Sequence, residues 1–96
     1  MLEMQQSTKF KKDIKRLQKR NYKLERLKSV MKMIVEEVPL PEDEYRAHLL
    51  EPTKDFHNCW ECHISGRKSD WLLIYKYYLD ENLVVFIRTG THADVF

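Results

Sequence analysis

The stretch DWLLIYKYY, from Asp70 to Tyr78, predicts the central strand of a small β-sheet. Its apolar residues follow one another almost without interruption, which is typical of a strand covered on both faces. The stretch LVVFIRT, from Leu83 to Thr89, has the same character, and the polar residues 80–82 between the two supply a turn. These two stretches therefore predict neighbouring antiparallel strands.

The sequence before this strand alternates between apolar and polar residues, which predicts a third strand. One face would carry Phe56, Trp60, Cys62 and Ile64, and the other His57, Cys59, Glu61 and His63. The alternation loses its register near Asn58, and residues 65–69 predict the turn into the central strand. Leu2 to Gln6 is a further short candidate strand, so the sheet should have three strands, or four with an N-terminal edge strand.

Two helices are predicted near the N-terminus. The first follows a capping Ser7 or Thr8 and buries a stripe at helical spacing formed by Phe10, Ile14 and Leu17. The second runs from Tyr22 to Val38 and ends at Pro39 and Pro41, because proline cannot continue a helix. A short connection implies a helical hairpin. The predicted fold class is α+β: a helical hairpin packed on one face of a small twisted, mainly antiparallel sheet, with the other face free for a ligand.

The charge is distributed unevenly along a chain long enough for one domain, residues 1–96. The net charge is +2, but Lys9 to Lys32 holds eleven basic residues against two acids. Such a basic segment suits a polyanion or an acidic partner, although a solvated helix surface would look the same. There is no apolar run long enough to span a membrane and no secretory signal, so we expect a cytoplasmic protein with reduced cysteines.

Four histidines are candidates for proton transfer, because imidazole both gives and takes protons near neutral pH. They are His48, His57, His63 and His92, and Asp70 and Arg88 fall at strand ends nearby. An acid, a base and a fixed cation are what cleavage of a phosphodiester by a 2′-hydroxyl requires. The alternative is that these histidines are polar surface groups.

The run Cys59-Trp-Glu-Cys-His63 resembles a metal or redox motif, but its geometry argues against both. Residues three apart on a strand point to opposite faces, so Cys59 and Cys62 cannot easily bind one ion. We therefore expect no metal, with Cys62 in the core and Cys59 incidental. Trp71 and Phe96 are candidates for stacking on bases, and core packing is the alternative for Trp71.

Several motifs resemble the YafQ branch of the RelE superfamily, the toxins of type II toxin–antitoxin modules. The tail IRTGTHADVF, 87–96, is similar to the branch's RTGTH/S-x-x-[LV]F ending, and residues 70–76 are similar to its DWxLxYK strand. Tyr45-Arg-Ala-His-Leu-Leu50 is similar to the Y-[KR]-D-H-x-L loop, and Phe10-Lys-Lys-Asp13 to the F-K-K-D helix start. His63 stands where the branch has a histidine upstream of Asp70.

The resemblance implies a RelE-like domain and an endoribonuclease that cleaves mRNA, usually in the ribosomal A site. His48, His63, Asp70 and His92 would form the acid–base set, and Arg88 would stabilise the transition-state phosphate. Trp71 and Phe96 would hold the substrate. The attacking group would be the 2′-hydroxyl, without a metal ion or cofactor, and which histidine is the base stays open. Contacts with ribosomal RNA would come from Lys11, Lys12, Lys15, Arg16 and Lys19.

The implied partners are mRNA, the ribosome and a cognate, DinJ-like antitoxin. Operator DNA would be bound only through the antitoxin complex, and no membrane is involved. Two alternatives remain: a ParE-like toxin that inhibits DNA gyrase, and a non-catalytic module that binds RNA or an antitoxin. The sequence departs from the branch at Ala47, where aspartate is common, at Trp60, near which arginine is usual, and in a longer turn at 65–69 that could shift His63 relative to Asp70.

Overall fold

The structure, a computed structural model, describes residues 1–66 and 69–96. These residues form one five-stranded sheet in the order β1-β5-β4-β3-β2. Strand β1 is parallel to β5, and every other neighbouring pair is antiparallel. The strands are β1 Glu3–Gln6, β2 His48–Leu49, β3 Trp60–His63, β4 Leu72–Tyr78 and β5 Leu83–Gly90.

Two longer helices precede the antiparallel strands β3, β4 and β5, and two single-turn helices lie later in the chain. They are α1 Thr8–Lys19, α2 Leu24–Val35, α3 Glu42–Tyr45 and α4 His92–Val95, with a 3₁₀ turn at Leu79–Glu81. Ser7 caps the N-terminus of α1, because its hydroxyl accepts a hydrogen bond from the N–H of Phe10. No helix of the described residues is both long and apolar enough to cross a membrane.

The main core lies between these helices and one face of the sheet. Phe10 and Leu17 of α1 and Leu27 and Ile34 of α2 are each at most 2% exposed, and they pack against Cys62, Ile64, Leu73, Tyr75, Val84 and Phe86. A second, smaller cluster covers part of the opposite face and consists of Phe56, Cys59, Leu72, Ile74 and Val95. The sheet is therefore apolar on both sides of β4, as its uninterrupted sequence predicts.

The α+β class is confirmed, but the sheet is larger than predicted and several boundaries differ. The sheet has five strands rather than three or four, because β1 pairs with β5 and the two-residue β2 pairs with β3. The second helix spans Leu24–Val35 rather than 22–38. The predicted helical hairpin is confirmed only in part, because α1 packs along strand β5. The tail is helical. The face predicted to be free for a ligand is not wholly free, because the second cluster occupies part of it. Residues 67 and 68 of the predicted turn lie outside the described residues.

The two cysteines separate as the strand geometry requires. Cys62 is in the main core and Cys59 in the second cluster, so they occupy opposite faces of the sheet. Both are free thiols. Burial raises the pKa of Cys62 to about 12, which leaves it protonated and unreactive at neutral pH. Cys59 is 2% exposed, so it is a packing residue and not incidental.

Candidate catalytic face of the sheet

The face of the sheet opposite the main core carries one row of paired residues that crosses four strands. His48 of β2 pairs with Glu61 of β3, Glu61 pairs with Ile74 of β4, and Ile74 pairs with Arg88 of β5. Directly paired residues point to the same face, so His48, Glu61 and Arg88 all project from the side opposite the main core. Three strand spacings separate the ends of the row, about 14 Å. His48 and Arg88 share a face without touching each other.

Glu61 lies between two of the predicted histidines. Its Oε1 is 3.4 Å from Nε2 of His48 and 3.9 Å from Nε2 of His63. The carboxylate is buried, with 7% of its side chain exposed, while 47% of the His48 side chain is accessible. A buried carboxylate needs a partner, and both imidazoles lie close enough to Glu61 to supply one. The three side chains therefore form one polar group.

The other nitrogens of these imidazoles are held by the backbone. Nδ1 of His63 is 2.7 Å from the carbonyl oxygen of Ser69, and Nδ1 of His48 is 3.2 Å from that of Leu49. A carbonyl only accepts hydrogen bonds, so each Nδ1 carries the proton and donates. Nε2 is then the remaining nitrogen of each ring. That of His48 belongs to a side chain 47% exposed and is open to a ligand, whereas the His63 side chain is only 9% exposed.

A second group joins Asp70 to His92. Oδ1 of Asp70 is 2.6 Å from Nδ1 of His92 and also accepts the backbone N–H of His92 at 3.2 Å. The hydrogen bond from the imidazole, followed by that from the backbone N–H, lowers the pKa of the Asp70 carboxyl. Asp70 therefore stays ionised and fixes His92 with Nδ1 donating. Because Asp70 follows Ser69, which binds His63, one short segment connects the two groups.

Phe96 extends this second group at the surface. Its ring stacks on that of His92 with centroids 5.8 Å apart, and Phe56 meets it edge-on at 5.6 Å. Phe96 is 55% exposed. An exposed aromatic ring beside an imidazole is suited to stack on an unpaired base, as predicted from the sequence.

Arg88 is fixed by a carboxylate that the sequence analysis did not assign. Its Nε donates to Oδ2 of Asp13 at 2.8 Å, and its Nη2 donates to Oδ1 of Asp13 at 3.1 Å and to the carbonyl oxygen of Asp94 at 3.0 Å. The hydrogen bonds to Asp13 raise the pKa of Arg88. Asp13 is 1% exposed and also accepts from the N–H of Thr89 at 3.1 Å. The pair sets the position of the cation, with 15% of the Arg88 side chain exposed.

Helix α4, which begins at His92, is held in place by hydrogen bonds of Thr91 and Asp94. Thr91 and Asp94 form a capping box, in which each side chain accepts the other's backbone N–H. Asp94 also accepts two hydrogen bonds from Arg20, at 2.8 and 3.2 Å. The Arg20 guanidinium lowers the pKa of Asp94 to about 2. Gly90 has a φ of +147°, and a Cβ there would lie 2.9 Å from that of Asp94, so only glycine fits this close approach.

Trp71 is 5% exposed and belongs to the main core. Its Nε1 donates to Oγ1 of Thr89 at 3.0 Å, and the Tyr22 ring meets it edge-on at 4.9 Å. This burial favours core packing, the alternative weighed for Trp71 from the sequence, although the residue also lines a small surface cavity. Its predicted contact with the substrate stays a prediction.

Four of the five predicted ribosome-binding residues lie on the solvent side of α1. Lys11, Lys12, Lys15 and Lys19 are exposed. Arg16 is only partly exposed, and its Nη1 lies 3.2 Å from Asp13 and 3.9 Å from Asp94. Because its charge is already shared with two carboxylates, Arg16 is a weaker candidate for a phosphate contact than the lysines.

Glu61, Asp13 and Asp94 are the polar residues that sequence reasoning missed. Glu61 stands two positions before His63, which on a strand places both on one face, so that spacing was an available signal. Within residues 1–66 and 69–96, no group of three or more His, Cys, Asp or Glu is arranged to hold a metal ion.

Comparisons with known proteins find one family and similar structures over nearly the whole chain. The family described as "Bacterial toxin of type II toxin-antitoxin system, YafQ" matches residues 2–96. The "mRNA interferase toxin YafQ" of Escherichia coli strain B / BL21-DE3 is 36% identical over 95 residues, which cover 98% of this chain and 95% of that protein. A metal-bound toxin from Helicobacter pylori superposes with a TM-score of 0.86 at 34% identity, covering 100% of both chains. The E. coli DinJ-YafQ complex gives a TM-score of 0.83 at 34% identity, covering 100% of this chain and 99% of the other.

Proposed function

The chain belongs to the YafQ family of bacterial toxins from type II toxin–antitoxin systems, and on this basis we propose that it is an endoribonuclease that cleaves mRNA and so inhibits translation. Its relatives of 35–36% identity are named mRNA interferases. The observation that carries the proposal is the pairing of Asp70 with His92 at 2.6 Å. Asp70 directly follows Ser69, whose carbonyl oxygen binds Nδ1 of His63.

The proposed chemistry is attack of a 2′-hydroxyl on the adjacent phosphorus. One imidazole Nε2 takes the proton of the hydroxyl, and a protonated imidazole gives a proton to the leaving 5′-oxygen. The products are a 2′,3′-cyclic phosphate and a 5′-hydroxyl. Each such proton transfer contributes roughly 10²–10⁴-fold to the rate. The His48–Glu61–His63 group and the Asp70–His92 pair supply an imidazole each, so that one can act as base and the other as acid.

Substrate binding would use the remaining charged and aromatic groups. Arg88, held by Asp13, would offset the charge that develops on the phosphorane oxygens. Phe96 would stack on a base beside His92. The exposed lysines of α1 would contact ribosomal RNA phosphates, an attraction that weakens as salt rises. No step of this scheme uses a metal ion.

The proposed partners follow from the family. E. coli YafQ has been crystallised with DinJ, and we extend this to an antitoxin for the present chain, with operator DNA bound through that complex. The proposed place of action is the cytoplasm, where mRNA and ribosomes meet.

The experiment is induction of the toxin in cells, followed by primer extension on mRNA and by measurements of protein and DNA synthesis. We expect new mRNA 5′-ends and arrested translation, with ends that are missing when a His92→Ala variant is induced. Intact mRNA together with arrested DNA replication would instead support a gyrase inhibitor of the ParE type.

A further inference from the structure

A small cavity opens beside Asp70. Its volume is about 290 Å³, just below the roughly 300–1,000 Å³ of small-molecule pockets. The walls come from the start of α2 and from the two ends of the β3–β4 connection: Tyr22, Lys23, Arg26, Ser65, Ser69, Asp70 and Trp71. The cavity has room for one phosphate with part of a nucleoside, but not for a folded ligand.

Two cations line this cavity against one carboxylate, that of Asp70, whose Oδ1 is hydrogen-bonded to His92. Lys23 and Arg26 are both exposed, and neither has a carboxylate within 4.0 Å among the described residues. Helix α2, twelve residues long, begins directly after Lys23, and no side chain caps its N-terminus. The partial positive charge of that terminus adds to the two cations. Glu25 of the same turn does not line the cavity.

Hydroxyl groups complete the lining. Ser69 accepts the N–H of Trp71 at 3.0 Å, which orients its hydroxyl and leaves the hydroxyl proton to donate. Ser65 lines the same space from the end of β3. The Tyr22 ring meets the buried Trp71 edge-on at 4.9 Å and forms an apolar part of the wall. Donors and cations of this kind bind phosphate oxygens with charge-assisted hydrogen bonds.

The Asp70 carboxylate lies at the boundary between the cavity and the proposed cleavage site, where it is hydrogen-bonded to His92. Because Asp70 borders both, an RNA strand bound with its scissile linkage at His92 can reach this cavity with a neighbouring nucleotide. We infer that Lys23, Arg26 and the N-terminus of α2 form a subsite for a phosphodiester of the RNA strand that flanks the scissile linkage. The inference rests on the proposed function and adds a second contact that fixes the register of the RNA.

The test measures binding of non-cleavable RNA to the full chain. The probe is a 2′-O-methyl oligonucleotide that spans a cleavage site mapped by primer extension. In a matched series, one flanking phosphate at a time is replaced by an uncharged methylphosphonate. We expect one replacement to weaken binding to the native protein by about tenfold, as for loss of a charge-assisted contact. The Lys23→Gln/Arg26→Gln variant should lose a similar factor and no longer respond to that replacement.

The control is Lys28→Gln/Lys32→Gln, which removes the same charge from exposed positions of the same helix outside the cavity. It should lose less affinity and stay sensitive to the methylphosphonate. Equal losses in both variants, additive losses in the cavity variant, or no sensitive phosphate would overturn the subsite. An effect of the cavity variant on antitoxin binding but not on RNA binding would also overturn it. Native binding behaviour without cleavage of the corresponding ribo-oligonucleotide would count against the proposed nuclease and not against the subsite.

Discussion

Oδ1 of Asp70 and Nδ1 of His92 are 2.6 Å apart, although 22 residues separate them in the sequence. Asp70 precedes β4, and His92 begins α4 after β5, so the pairing of these two neighbouring strands brings them together. The carboxylate fixes one nitrogen of the ring and leaves Nε2 exposed to a substrate. This arrangement gives His92 a defined tautomer and direction before RNA binds.

His92→Ala should abolish cleavage while the fold is kept. His92 is exposed and outside both apolar clusters, so its loss should change the free energy of unfolding by no more than about 0.5 kcal/mol. The cleavage rate should fall by roughly 10²–10⁴-fold, the usual contribution of one positioned acid or base. Growth after induction and cleavage of a short RNA measure this. His57→Ala, at another exposed histidine, is the control and should remain toxic.

Trp71 and Phe96 should respond to substitution in opposite ways. Trp71→Phe removes a buried N–H donor to Thr89 and should lower the free energy of unfolding by about 1–2 kcal/mol, with RNA affinity unchanged. Phe96→Ala should leave stability nearly unchanged and weaken RNA binding by about 1–3 kcal/mol, the value of one stacked base. Urea unfolding and binding of a 2′-O-methyl RNA separate the two effects. A stable Trp71→Phe protein that fails to bind RNA would contradict the packing role.

Asp94 should make stability depend on pH in the acid range. The folded-state pKa of about 2 lies below the ordinary value of about 3.9, so the ionised carboxylate stabilises the fold. This stabilisation is fully present above pH 4 and is lost as pH falls toward 2. Asp94→Asn should therefore cost about 1–2 kcal/mol at pH 7, with the difference from the native protein shrinking below pH 4. Urea titrations at several pH values test this. Asp55→Asn, at an exposed loop position, should show no such trend.

Charge reversal on α1 should weaken ribosome binding without impairing the catalytic groups. Lys11, Lys15 and Lys19 are exposed, and none of them takes part in the side-chain hydrogen bonds described for Arg88, Asp94 and His92, so changing all three to glutamate should leave cleavage of a short free RNA intact. Co-sedimentation with ribosomes should fall, and its dependence on salt should become shallower because fewer counterions are released. Lys54→Glu serves as a control for a single exposed charge. Unchanged co-sedimentation of the triple variant would remove α1 from the proposed interface.

The sequence predicts those parts of the fold in which local pattern and tertiary environment agree. The apolar runs predicted as strands at 70–78 and 83–89 became β4 at 72–78 and β5 at 83–90, because a strand buried on both faces needs no alternation. Strand β2 was missed since its two residues owe their conformation to pairing with β3, which no local pattern encodes. Helix α4 was also missed, although Thr91 and Asp94 have the spacing of a capping box.

For the candidate site, too, local sequence predicted some features, and contacts between distant residues determined those that were missed. The histidines and Asp70 were identified by their chemistry and by family resemblance, and the structure pairs Asp70 with His92. The sequence left packing and substrate contact open for Trp71, because its burial depends on Tyr22 and Thr89, which are remote in sequence. The partner of Arg88 was missed for the same reason, since Asp13 lies 75 residues away. Such long-range contacts follow from strand order, which one sequence does not reveal.

The central claim is that the imidazoles of the candidate catalytic site activate a 2′-hydroxyl of the RNA. The most direct test is the chemistry of the ends produced when the purified protein, dialysed against a chelator, cleaves an oligonucleotide spanning a mapped site. The account predicts a 2′,3′-cyclic phosphate and a 5′-hydroxyl, and no cleavage when the ribose at that linkage is replaced by 2′-deoxyribose. A 5′-phosphate with a 3′-hydroxyl, or cleavage of the deoxy-substituted strand, would contradict it.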